Sequence, residues 1–327
     1  MNKKTITLLL FSVLIIVPIT IFSWGFFAHK LVNKMAVVTL PNGIIAFYKK
    51  HIDYITAHAI DPDKRRGLIA DEGAKHYIDI DHYGAHPFDS VPRRWKDAVK
   101  KYTEDTLMAY GIVPWHIDKM VFRLTEAFKK EDLNKILKYS ADIGHYIADA
   151  HVPLHTTENY NGQMTNQRGI HGFWESRIPE LFSEDYDYLV GKAKFIDSPI
   201  DFAWETVKES HAAVDSVLKF EAELTRTFGP DRKYAVEQRG AANLKTYSLE
   251  YTTKYNQMLN GQVERRLRKS IIDVGSLWFT AWVNAGQPNL ERLDSKVVTD
   301  SLRKSDEDLD YLWSTGKAKS KEKGHED

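Results

Sequence analysis

Apolar residues in this chain return every three or four positions, and strand-like alternation is rare, so the chain has to fold mainly as amphipathic helices. The clearest stripe runs from Val263 to Val283. There Leu267, Ile271, Val274, Leu277, Trp278 and Trp282 fall near helical spacing and read as core. Asn284-Ala-Gly-Gln-Pro288 closes that helix with Gly and Pro. Helices are expected over about 30–51, 94–109, 115–130, 132–150, 171–182, 201–225, 234–258 and 261–285. There is no internal repeat and no long linker, which predicts one all-α, multi-helix domain over about 24–290. The stretch 291–327 reads as a C-terminal extension. Its tail, KAKSKEKGHED from Lys317, is charged and expected to be disordered, with His325 solvated.

The chain has no cysteine. That excludes disulfides, thiolate zinc fingers, iron–sulfur clusters and a thiol nucleophile. Any metal must be held by His, Asp, Glu or backbone groups. Lys+Arg and Asp+Glu are equal at 45 each, which argues against a protein held to nucleic acid by bulk positive charge. Residues 1–23 have the order of a secretory signal, with Lys3 and Lys4 ahead of an apolar run from about Leu8 to Phe22. Cleavage after Ser23 would leave Trp24 first in the mature chain, exported to a periplasm or beyond the cell. The alternative is an uncleaved membrane anchor, for which the run is short.

The 13 histidines are not scattered. In Gly144-His145-Tyr-Ile-Ala-Asp149-Ala-His151-Val-Pro153-Leu-His155, His145 and Asp149 are four apart and share a helix face. Pro153 should end that helix and swing His155 toward the same cavity. His171-Gly-Phe-Trp-Glu175 repeats the His–carboxylate pair at the same spacing. Two such pairs are hard to explain as packed core, because buried imidazoles and carboxylates are costly without partners. Imidazole with carboxylate and no thiolate suits zinc at a hydrolytic site. Upstream, Lys75-His76-Tyr77-Ile78-Asp79-Ile80-Asp81-His82 mixes acids with two histidines, and solvated loop acids are the alternative reading. Ala59-Ile-Asp61-Pro-Asp63-Lys64-Arg65-Arg66 is, by itself, an Asp-Pro turn with a basic cluster. A free amine and carbonyl at Trp24 could chelate a metal, with His29 joining from the next turns; otherwise Trp24 is simply a core aromatic. His51, His58, His86, His116 and His211 have no such pairing and read as structural or surface residues; His151 falls off the spacing, and His82 stays open.

Taken in order, Trp24, His29, Asp61, His76, His145, Asp149, His155, His171 and Glu175 resemble the zinc-dependent phospholipases C and the secreted single-strand-specific zinc nucleases. The resemblance runs from Trp24 to Glu175, about half of the chain. It implies an all-α fold with three zinc ions in a cleft. Asp61, His76, His145 and Asp149 would hold one zinc, with Asp63 as the alternative to Asp61. Trp24, His29 and the bridging Asp149 would hold its neighbour, and His155, His171 and Glu175 the third.

The two branches point to different substrates. The Trp24–His29 spacing, Lys64 three residues after Asp61, and Tyr77 with Asp79 are similar to the nucleases. There the lysine contacts phosphate, the aromatic stacks a base and the acid reads its edge. Glu175 and the short loop from His155 to His171 are similar to the phospholipases. The resemblance implies phosphodiester hydrolysis, of single-stranded nucleic acid or a phospholipid headgroup. Asp149 and Asp61 would orient the attacking water, and Lys64 or Arg65 would add charge at the rim. No obligate protein partner is evident. Helical phosphohydrolases built on a His-Asp dipeptide do not fit, because the sequence contains none. The non-enzyme alternative is an exported zinc-binding or surface-interaction protein.

Overall fold

The computed structural model describes residues 25–239, 242–293, 296–317 and 325. The expected export signal and Trp24 lie outside these residues, as does most of the charged tail. The stripe seen in the sequence becomes helix Gln262–Asn284, whose Leu267, Ile271, Val274, Leu277 and Trp278 are fully buried. It packs against helices Gly25–Thr39, Val113–Lys129 and Leu133–Ala150, and these four carry the core. Trp278 ties two of them together. Its indole stacks on Tyr48 at 4.6 Å and donates to the Ser140 carbonyl at 3.0 Å.

Several expected helices are divided. Pro41 and Gly43 separate Gly25–Thr39 from Ile45–Lys50. Thr103, in the left-handed region at φ 69°, separates Trp95–Tyr102 from Glu104–Tyr110 and caps the second through its hydroxyl. The expectation over 201–225 resolves into Pro199–His211 and Val214–Thr227.

The helix expected over 234–258 is corrected more deeply. Tyr234–Arg239 and Ala242–Tyr247 pair as an antiparallel hairpin, the one sheet among the described residues. Only Leu249–Met258 is helical, started by the Ser248 hydroxyl accepting from the Tyr251 amide. The hairpin wins because it has partners. Tyr247 stacks on Phe173 at 3.8 Å, while Arg177 donates to the Tyr247 carbonyl and pairs with Glu237.

The extension is not featureless either. Leu290 and Leu293 are buried, and Asp300–Ser314 is a helix capped by Thr299. That helix packs against the short helix Asp61–Arg66.

Candidate metal centre

Gly144 determines how closely two helices approach at the site. A Cβ there would lie 1.7 Å from the Asn33 Oδ1, so only glycine lets the first helix settle against Leu133–Ala150. Asn33 uses the contact, donating to the carbonyls of Ala141 at 3.1 Å and Ile55 at 3.2 Å. One turn before Asn33, His29 is thereby laid on His145, with ring centroids 3.9 Å apart. His29 Nε2 comes within 3.3 Å of Asp149 Oδ1.

A first group of donor atoms converges around His145. Its Nδ1–H donates to the Ala59 carbonyl at 2.9 Å, which turns Nε2 inward. Nε2 then lies 3.0 Å from His76 Nδ1, 3.2 Å from Asp149 Oδ2 and 3.5 Å from Asp63 Oδ1. His76 Nδ1 is 2.9 Å from Asp149 Oδ2 and 3.8 Å from Asp63 Oδ1. Asp63 Oδ2 and His76 Nε2 are buried and have no hydrogen-bond partner among the described residues. Donor atoms bound at about 2.0–2.1 Å around a tetrahedral zinc lie roughly 3.3 Å apart; Asp63, His76 and His145 form one group that could hold a metal ion, and His29, His145 and Asp149 another that shares His145.

A second group, His155, His171 and Glu175, lies just past the helix end. The chain leaves helix Leu133–Ala150 and turns at Pro153, and His155 Nδ1–H donates to the His76 carbonyl at 2.8 Å. His171 Nδ1–H donates to the Tyr160 carbonyl at 3.2 Å. Both Nε2 atoms therefore face inward, 3.2 Å apart, with Glu175 Oε2 at 3.0 Å from one and 3.4 Å from the other. Glu175 sits in a π-helical turn, Phe173–Arg177. The His76 carbonyl that orients His155 belongs to a ligand-type residue of the first group, so the two groups share a wall.

The electrostatics favour a cation. Burial works against charge on His145, yet Asp149 and Asp63 outweigh it and push its pKa well above the usual imidazole value. Burial also pushes Asp149 up, but His145, His155 and the bonds from His145 and His29 hold it well below the carboxylate range. Glu175 is buried too, and its two histidines bring it down to about 2. His76 goes to about 4, mainly by burial. Imidazoles and carboxylates in this ratio, without thiolate, fit zinc.

Three expected site residues are elsewhere. Asp61 accepts from Lys64 at 2.8 Å and lies 2.7 Å from His58 Nδ1, while Lys64 also reaches Asp310 at 2.6 Å. The reason is helical: Asp61 and Lys64 are one turn apart and face each other, whereas Asp63 faces the cleft. Arg65 is drawn inward to Glu72, Asp142 and Tyr146 instead of standing at a rim. Asp63 was the alternative in the sequence. Arg66, three residues after Asp63 in the basic cluster, donates to the His325 carbonyl. Its signal was available: helical spacing moves with Asp63.

Tyr77 and Asp79 are buried beside the second donor group, near Tyr160, which no sequence pattern marked. Burial, with Asp81 and Glu158 nearby, pushes the Asp79 carboxyl up to about 8. His325, expected to be solvated, is buried here. Its ring is stacked on Tyr77 and on Tyr160, each at 3.8 Å, with Nε2 2.7 Å from Asp79 Oδ1. Two aromatic faces and a carboxyl outweigh the hydration that the tail's composition favours.

A search of the curated proteins returned no significant match. Among solved structures, the alpha-toxin of Clostridium perfringens from avian strain SWCP is similar with a TM-score of 0.47 at 13% identity, covering 80% of this chain. The alpha toxin of Clostridium absonum gives a TM-score of 0.41 at 12% identity, covering 84% of this chain. This chain spans 65% of the length of each. The zinc-dependent phospholipase C family profile matches residues 26–235, well over half of the sequence. The chain therefore belongs to the zinc-dependent phospholipase C family.

Proposed function

We propose that this protein is an exported hydrolase of phosphodiester bonds that works with three zinc ions, cleaving a phospholipid headgroup. The observation that carries the reading is the convergence of Asp63 and Asp149 on His76 and His145, each carboxylate 2.9–3.8 Å from the two imidazoles, with His145 oriented from behind by a backbone carbonyl. These four would hold one zinc. His29 and Asp149 would hold a second together with the amine and carbonyl of Trp24, and His155, His171 and Glu175 the third. Zinc at these positions would supply Lewis-acid neutralisation of phosphate oxygens and a lowered pKa for water.

The chain's own residues do the rest. Asp149, within reach of both His29 and His145, would serve two of these positions and can accept a hydrogen bond from a donor beside them. The Ala59, His76 and Tyr160 carbonyls hold three imidazoles in the tautomer that presents Nε2. Arg66 takes the role first expected of Lys64, placing a guanidinium against phosphate at the mouth.

A second substrate reading rests on one observation. Tyr77 and Tyr160 lie parallel on either side of the His325 ring, at 19° and 10° to it, so their gap matches one flat ring. A tetrahedral trimethylammonium group is thicker than a flat ring. This favours a nucleobase, with Asp79 at its edge, and hence single-stranded nucleic acid.

The test uses protein beginning at Trp24, assayed on phosphatidylcholine vesicles and on single-stranded DNA, with zinc content measured before and after chelation. Chelator-sensitive release of the lipid headgroup supports the first reading, and cleavage of DNA alone supports the second. Bound zinc with neither activity would reduce the protein to a zinc-binding one and overturn the proposal.

A further inference from the structure

His151 stands in the chain between two ligand-type residues, Asp149 and His155, and belongs to neither donor group. Helix Leu133–Ala150 ends on it, and a helix end leaves its last carbonyls without partners inside the helix. The Ala148 carbonyl accepts from the His151 amide at 3.0 Å and the Asp149 carbonyl from the Val152 amide at 2.8 Å, which tightens the last turn. The next two carbonyls are taken by other helices. Ser210 Oγ donates to the Ala150 carbonyl, and Arg266 Nε donates to the His151 carbonyl at 2.9 Å. The His151 ring is held as well, with Nε2 2.8 Å from Asp273 Oδ2. Burial, and after it the charge of Arg266, brings this imidazole down to about 4, so near neutral pH it is uncharged and gives its one N–H to Asp273. His151, Arg266 and Asp273 are all buried.

Arg266 and Asp273 are two turns apart on helix Gln262–Asn284, so that one helix grips a single residue at its carbonyl and at its ring. The backbone position and the side-chain direction of residue 151 are therefore fixed together. The short turn Pro153–Thr156 follows at once, and its far end is tied by His211 Nδ1 donating to the Thr156 carbonyl at 2.9 Å. We propose that His151 is a positioning residue, whose grip by Asp273 and Arg266 fixes the direction in which the chain leaves Asp149 and so aims His155 Nε2 at His171 and Glu175. This rests on the reading of the cleft as a zinc site. A buried His–Asp pair could instead serve stability alone. The two roles separate because a metal position needs His155 aimed, whereas stability needs only good packing. Side-chain reach tells them apart: a Gln amide nitrogen arrives where His Nε2 lies, and an Asn amide stops short of Asp273. In either variant Asp273 keeps Lys269 at 3.4 Å and is not left as a lone buried charge.

The test titrates zinc out of the zinc-loaded protein with a chromophoric chelator, beside urea unfolding of the same samples, and needs no activity. In His151→Asn one equivalent of zinc should be held about 10–100-fold more weakly, the effect typical of an outer partner, with the rest unchanged. His151→Gln should hold every equivalent within about twofold of the wild type. Glu175→Gln should weaken the same equivalent, and adding His151→Asn to it should weaken that equivalent little further, because both act on one position. A lowered urea midpoint with unchanged zinc affinity in His151→Asn would make His151 a packing residue and overturn the proposal. Equal zinc loss in His151→Asn and His151→Gln would overturn it too, since the bond to Asp273 would then not be the cause. Should His151→Asn fail to fold, Asp273→Ala removes the same bond from the other partner and is judged by the same titration. A wild-type protein that binds no zinc overturns the proposed function and this inference together, whereas zinc held equally by the wild type and all variants at residues 151 and 273 overturns this inference alone.

Discussion

Asp61 and Asp63 are two residues apart on the same short helix, and they have opposite surroundings. Asp61 is met by a fixed cation: Lys64 lies at 2.8 Å, His58 closes the other side, and the net effect of these partners is to hold its pKa below the usual value although burial pushes it up. Among the described residues, the ion pairs of Asp63 are with imidazoles and not with a lysine or arginine. Around it are the imidazoles of His145, His76 and His29, which outweigh burial and hold its carboxyl far below the usual range. One aspartate is neutralised by the fold itself. The other belongs, with His76 and His145, to a group of donors that could hold a metal ion and that contains no lysine or arginine. A buried carboxylate by itself therefore says little; what distinguishes a site is whether the compensating charge is part of the chain.

The largest effect should come from breaking the second arrangement. Asp63→Asn keeps the shape but removes a ligand charge. Zinc per chain should fall by one equivalent, and kcat/KM on a phosphodiester should drop by more than the roughly 10–100-fold typical of an outer partner. Asp61→Asn should leave both near the wild-type values. Equal losses in the two variants, measured by metal analysis and initial rates, would erase the distinction.

Next is the wholly self-neutralised network behind His76. Glu72 accepts from Arg65, Lys75 and Tyr146. Burial pushes its carboxyl up, but Arg65, His76 and Lys75 bring it down to about 2. Because the folded value is below the unfolded one, this stabilisation is complete above the ordinary carboxylate pKa and is lost as pH falls toward 2. Glu72→Gln should cost about 3–5 kcal/mol at neutral pH. Urea unfolding from neutral to acid pH should show the variant losing less stability than the wild type over that range.

The close approach at Gly144 links fold to site. Gly144→Ala must push Asn33 aside, costing about 1–3 kcal/mol. It should also loosen His29 from Asp149, so that, on the proposed assignment, a zinc held between these two would be the first released on titration with a chelator. Unchanged zinc affinity with lowered stability would mean that the approach serves packing alone.

Much of this was legible in the sequence, for a physical reason. Helical periodicity survives burial, so the stripe from Leu267 to Trp282 gave the central helix. The His145–Asp149 and His171–Glu175 pairs needed only a period of 3.6 to share a face. The misses are long-range. The hairpin at 234–247 depends on Arg177 and Phe173, some sixty residues upstream, and local pattern carries no trace of them. Tyr160 and His325 come together only in the folded chain. The different surroundings of Asp61 and Asp63 lay within reach, since Lys64 is one helical turn from Asp61 and pairs with it.

The smallest expected effect is also the sharpest check on that choice. Lys64 stood in the sequence as the cation for phosphate, yet its ammonium is spent on Asp61 and on the exposed Asp310. The Asp310 pair is half in water and contributes about 0–1 kcal/mol. Lys64→Gln keeps a hydrogen-bond donor for Asp61, and His58 remains on the other side. Stability should fall by about 1 kcal/mol in urea unfolding, and KM should stay within about twofold of wild type, since no transition-state contact is lost. Arg66→Gln, made beside it, should raise KM or lower kcat by at least tenfold, about 1.4 kcal/mol of lost charge-assisted binding. If Lys64→Gln shows the larger kinetic loss, the phosphate lies on the Asp61 side of the turn, and the assignment of Asp63 to the metal falls with it.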